Sequence, residues 1–140
     1  MTHYLPDDPR CSQLINLASL VLGQNGIWGD LPGVSDEGAA LFRAVLDEYK
    51  RVRDDVTAAD PAVYGSPGDC FEAYEKINRG TGRGLISLFT GAAGEYRYKA
   101  SFADVKDPVV FGDASVSRED GELRITVRSE GPSAAIVFFR

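Results

Sequence analysis

Histidine, tryptophan and methionine each occur once in the 140 residues, and cysteine twice. A transition-metal site built from protein side chains needs several imidazole or thiolate ligands close together, so this chain is expected to hold no metal. Cys11 and Cys70 are too few and too far apart for a disulfide scaffold or a zinc knuckle. No basic run exceeds Lys50-Arg51-Val52-Arg53, and 15 basic against 21 acidic side chains leave a net charge of -6. Such a surface repels a polyanion, which argues against nucleic acid as a partner. The longest apolar stretch, Leu14 to Leu22, is broken by Asn16 and Ser19. It falls well short of the roughly 20 residues that a membrane span needs. The first ten residues carry His3, Asp7, Asp8 and two prolines instead of the basic-then-apolar order of a signal peptide. Asn16, Asn25 and Asn78 all lack the hydroxyl two positions on that a glycosylation acceptor requires. The chain therefore reads as cytoplasmic, with no cofactor, no metal and no membrane partner.

What is present is an ordinary globular composition, 44% hydrophobic and 26% charged, enough to bury roughly two-thirds of the unfolded surface. Residues 8 to about 57 have a helical period. Asp8 is placed to cap a first helix, with Pro9 at its first position and Gly23 as its stop. Leu14, Ile15, Leu17, Ala18, Val21 and Leu22 cover more than half its circumference, which predicts burial on two sides. A short extended piece, Gly26-Ile27-Trp28-Gly29, follows. Ser35 then caps a second helix with Asp36 and Glu37 in its first turn, where negative charge meets the helix dipole. Its stripe of Leu41, Phe42, Val45, Leu46, Tyr49, Val52 and Val56 predicts packing on one face.

After Asp60-Pro61 the period changes to that of strands. Short β-type runs occupy 71–77, 85–89, 96–102, 109–111, 114–117, 123–128 and 134–139, separated by glycine-bearing turns. Asp120-Gly121 between alternating runs is the clearest hairpin signal. The fold class expected is thus α/β followed by all-β, with residues 61–140 forming a C-terminal antiparallel β-sandwich. Residues 1–60, one short strand between two helices, look like an incomplete α/β layer, since a (β/α)8 TIM barrel needs about 200–250 residues.

Three segments in order carry a resemblance: Gly23-Gln24-Asn25-Gly26-Ile27-Trp28-Gly29-Asp30-Leu31, Val34-Ser35-Asp36-Glu37, and Leu46-Asp47-Glu48-Tyr49-Lys50-Arg51-Val52-Arg53. Together they resemble the last α/β unit of the retaining α-galactosidases, or melibiases. Val63-Tyr64-Gly65-Ser66-Pro67 stands where that family leads into its C-terminal β domain, and Ala73-Tyr74-Glu75-Lys76 with Leu85-Ile86-Ser87-Leu88-Phe89 looks like the first hairpin of that domain. Val34-Ser35 departs from the family's usual aromatic before the acidic helix start, and Gly38 weakens the first turn.

The resemblance implies that residues 1–60 are the end of a TIM-barrel-like catalytic domain and residues 61–140 the β domain. It implies a glycoside hydrolase acting on terminal α-galactosides or related glycosides through two carboxylates, about 5–5.5 Å apart in a retaining enzyme. Both carboxylates would lie upstream of Met1, so no catalytic residue is assigned and the isolated chain is expected to be inactive. The implied partners are a carbohydrate and either the missing barrel segment or a second copy of the chain.

The candidate substrate-binding residues are Trp28, Asp30 and His3, all near the ends of the strands that would form the barrel rim. An indole face can stack on a pyranose and a carboxylate can accept from its hydroxyls. Burial of Trp28, turn formation by Asp30 and a frayed terminus at His3 are the competing readings. Asp8 is already placed as a cap and Asp7 precedes it on a loop, which disfavours catalysis by this adjacent pair. Arg79 to Gly84 fits a hairpin loop better than a phosphate loop. Tyr96 and Tyr98 share a face that is either core or an exposed aromatic pair. An independent carbohydrate-binding or interaction module is the alternative function.

Overall fold

Helix α2 (Asp36–Ala58) forms where its cap and stripe place it: the Ser35 hydroxyl accepts from the Gly38 amide at 3.1 Å, and Leu41, Val45, Val52 and Val56 are buried. The computed structural model describes residues 2–23 and 26–140, with backbone alone for Thr2, His3, Tyr4, Trp28 and Leu31. Before α2 come strand β1 (Thr2–Tyr4), helix α1 (Arg10–Leu20), strand β2 (Ile27–Gly29) and a 3-10 turn at Leu31–Gly33. Strands β1 and β2 pair in parallel, with His3 opposite Trp28 in the backbone register. Gln24 and Asn25, which belong to the family resemblance, lie outside the described residues.

The cap of α1 differs from the expectation. Pro9 is the N-cap and has no side chain to offer, while the Asp8 carboxylate turns back to accept from the Leu5 amide at 2.9 Å. Asp8 thus closes the turn Leu5-Pro6-Asp7-Asp8, and its carbonyl accepts from Gln13 Nε2. The helix stops at Leu20, three residues before Gly23.

Eight strands follow: β3 (Ala62–Tyr64), β4 (Phe71–Asn78), β5 (Arg83–Thr90), β6 (Gly94–Lys99), β7 (Pro108–Phe111), β8 (Ala114–Glu119), β9 (Glu122–Ser129) and β10 (Ser133–Phe139). They form two open antiparallel sheets, one in the order β3-β4-β5-β10-β7 and one in the order β6-β9-β8. Asp120 and Gly121 both take positive φ, 52° and 78°, and make the two-residue hairpin between β8 and β9. That is the geometry an Asp-Gly pair favours. The glycine-rich segment 91–93 is not a hairpin: it carries the chain from one sheet to the other.

Strand β10 explains how the layers are built. Ala134, Ile136 and Phe138 join a cluster with Leu14, Leu17, Val21, Leu41, Val45, Val52 and Val56 of the helical segment. Ala135, Val137 and Phe139, pointing the other way, join a cluster with Tyr98, Leu123, Ile125 and Val127 of the second sheet. A strand covered on both faces needs an apolar residue at every position, as Ala134 to Phe139 supplies. The almost all-round apolar surface of α1 is accounted for in the same way, because α1 lies against β10 and β5, and also touches β1 and α2.

The chain is therefore a small α+β domain, and no barrel forms among the described residues. The helices satisfy their apolar faces on an antiparallel sheet instead of on a ring of parallel strands. Gly38 lets them approach: a Cβ there would stand 2.6 Å from Val34 Cγ1 and 2.9 Å from Gln13 Nε2. No helix among the described residues is long and apolar enough to cross a membrane.

Candidate functional site

The residues singled out from sequence fall at the start of the chain's fold. The backbones of His3 and Trp28 are neighbours across the parallel pair, and Asp30 follows directly after β2. The side chains of His3 and Trp28 lie outside the described residues, so their proposed sugar contacts do too. Asp30 is exposed, and its Oδ1 and its carbonyl oxygen both accept from the Gly33 amide, at 3.2 and 3.1 Å. It makes the turn at Leu31–Gly33. Asp7 and Asp8 share a capped turn rather than a cleft, as described above.

Tyr96 and Tyr98 divide between the two readings. Tyr98 is buried, and Tyr96 is half-buried with its ring stacked on Phe71 at 5.1 Å between centroids. Tyr64 on edge strand β3 lies 5.9 Å from both the Phe71 and the Tyr98 rings and remains 54% exposed. Residues 79–82 form the loop of the β4–β5 hairpin, in agreement with the sequence reading. Thr81 and Asn78 both donate to the Asp55 carboxylate, tying that loop to α2.

The most developed polar arrangement was not among the sequence candidates. Glu75 is 3% exposed, in the middle of β4. Its Oε2 accepts from the Tyr98 hydroxyl at 3.0 Å and from the Ser101 amide at 2.9 Å, and its Oε1 accepts from the Ser101 hydroxyl at 2.5 Å. These three donors are neutral. Among the described residues no cationic group stands within 4.0 Å of this carboxylate, although nine of the fifteen lysine and arginine side chains stand in ion pairs with other carboxylates. Burial, with the charge and hydrogen bond of Glu75 added, pushes the Tyr98 phenol far above the usual tyrosine range.

Glu75 opens onto a cleft of about 440 Å³ between the end of α2, the start of β3 and the segment after β6, which Asp60, Asn78, Arg79 and Ser101 also line. One sequence signal could have exposed it. Along Phe71 to Asn78 the buried positions are Ala73, Glu75 and Ile77. A carboxylate at an inward-facing strand position is costly unless something there uses it.

Among the described residues no group of three or more His, Cys, Asp and Glu side chains is gathered closely enough to hold a metal ion. Cys11 and Cys70 are both free and exposed. Compared with models of protein families and with curated proteins, the chain finds no match in either.

Proposed function

We propose that the chain is the closing βα segment and β-rich part of a glycoside hydrolase resembling the retaining α-galactosidases, with the catalytic carboxylates supplied from outside residues 1–140. The observation that carries this reading is the β1-α1-β2 unit. It is the only parallel pairing among the described residues, connected through a helix, the usual crossover between parallel strands. Parallel sheets occur almost only with more strands and with both faces covered. Among the described residues each strand pairs only with the other, and Leu5, next after β1, and Ile27, at the start of β2, are 51% and 36% exposed. The Ser35-Asp36-Glu37 helix start and the passage through Tyr64 into antiparallel strands follow in the order the resemblance implies.

In this reading the two β-sheets stack as a sandwich, supported by the cluster that Ile86, Leu88 and Val137 share with Leu123, Ile125 and Val127. Trp28, Asp30 and His3, at or next to the parallel strands, contact the glycone. The test measures p-nitrophenol release from p-nitrophenyl α-galactoside by the chain alone and by the product of its complete reading frame. No release by the first and release by the second is expected. A reading frame closed immediately upstream of Met1, or an inactive complete product, overturns the proposal.

The alternative, an independent carbohydrate-binding or interaction module, is favoured by the exposure of Tyr64 and of Val63, which is 58% exposed on the same edge strand. It requires calorimetric binding of galacto-oligosaccharides by the chain alone, lost in Tyr64→Ala.

A further inference from the structure

We propose that the cleft beside Glu75 binds a primary ammonium group, a lysine side chain or a small alkylamine, with the Glu75 carboxylate as its anionic partner. A charged group taken out of water is retained when it is paired, and Glu75 at 3% exposure has hydrogen bonds but, among the described residues, no opposite charge within 4.0 Å. The three neutral donors orient the carboxylate without cancelling its charge. Oε2 accepts from two of them, while Oε1 accepts from the Ser101 hydroxyl alone and keeps acceptor capacity.

The surroundings select the sign and size of the occupant. The cleft, about 440 Å³, admits a small group, and Asp60 on its wall adds a second negative charge. Asn78 is already committed, donating to Asp55 and accepting from the Gly80 amide. Arg79, the one cation on this wall, is exposed, and its guanidinium lies 5.9 Å from the centroid of the Phe102 ring. It is a competitor for the same carboxylate, held to one side. An anion would meet both Glu75 and Asp60, and a neutral hydroxyl would leave the charge unbalanced.

The test titrates ¹⁵N-labelled protein at constant ionic strength with n-propylammonium chloride, sodium propionate, n-propanol and D-galactose, and reads the Ser101 and Asn78 amide resonances. Saturable shifts are expected with propylammonium alone. Glu75→Gln, which keeps an acceptor for Ser101, should weaken binding at least about tenfold, as expected for loss of a charged hydrogen-bond partner. Arg79→Ala, at an exposed position, should tighten it several-fold by removing the competing cation, and carries the test if Glu75→Gln does not fold. Absence of saturable shifts, or equal shifts with propanol, overturns the proposal. Shifts with galactose in place of propylammonium overturn it as well and give the cleft to a sugar. The glycosidase reading stands or falls separately, on hydrolysis by the complete product.

Discussion

The hydroxyl of Ser87, buried in the middle of β5, donates to the carbonyl of Ala18 in the last turn of α1 at 3.0 Å. The last carbonyls of a helix have no intrahelical donor, and buried ones need a partner from elsewhere. Leu17 and Ser19 find theirs in the amides of Val21 and Leu22, and the Leu22 carbonyl accepts from Lys76 Nζ at 3.3 Å. The sheet therefore caps the helix. Ser87→Ala is expected to lower stability by about 1–3 kcal/mol, the cost of a buried acceptor left unsatisfied. An unchanged urea midpoint would show that the carbonyl finds another donor.

Gly38 sets two effects against each other. Alanine in a helix is favoured over glycine by about 1 kcal/mol. The added Cβ, however, would press on Val34, a stiff β-branched side chain, and on Gln13, which is 7% exposed and bonded to the Asp8 carbonyl. Gly38→Ala should therefore fail to stabilise the protein, whereas Gly38→Ala combined with Gln13→Ala should recover part of the propensity gain over Gln13→Ala alone. Thermal melts of the four proteins decide it, and a plain gain in Gly38→Ala refutes the close-approach argument.

Tyr98 gives the stability a high-pH limit. Its phenol is raised first by burial and then by the charge and hydrogen bond of Glu75. A group whose folded pKa lies above the unfolded one contributes stability that is fully present below the unfolded value, about 10 for tyrosine, and lost as the pH rises beyond it. Stability should fall from about pH 10 upward, and Tyr98→Phe should flatten that fall while lowering stability at neutral pH. Tyrosinate absorbance followed against pH would place Tyr98 last among the tyrosines. Ionisation of all six together, in protein that is still folded, would contradict this.

Phe138 and Phe139 face opposite clusters and are both fully buried. Each change to alanine should cost about 3–5 kcal/mol. Hydrogen exchange should show Phe138→Ala loosening α1 and α2 as much as β10. Loss of protection confined to the strands would mean that the helical segment is stabilised independently of the sheet.

Much of the fold is legible in the sequence because it is local. Ser35 with Asp36 and Glu37 announces α2, and Asp120-Gly121 sets a hairpin, since each depends only on residues a few positions away. What is not legible depends on distance. Nothing in the glycine-rich segment 91–94 tells a hairpin from a transfer between sheets. The apolar surface of α1 fits a barrel or a flat sheet equally well, because both present apolar residues to it. Glu75 lies in the right phase to be inward, yet its reason for being there, Ser101 and Tyr98, sits more than twenty residues along the chain.

Strand β10 is the last element in chain order, yet it lies between β5 and β7 and contributes to both clusters. A ribosome delivers α1, α2 and the other strands before the piece that joins them. Until residues 133–139 emerge, the open side of β5 and much of the apolar surface of α1 have no permanent cover. Closure of the α1 layer must then wait for contacts between α1 and β10 that span most of the chain, and non-local contacts of this kind form slowly.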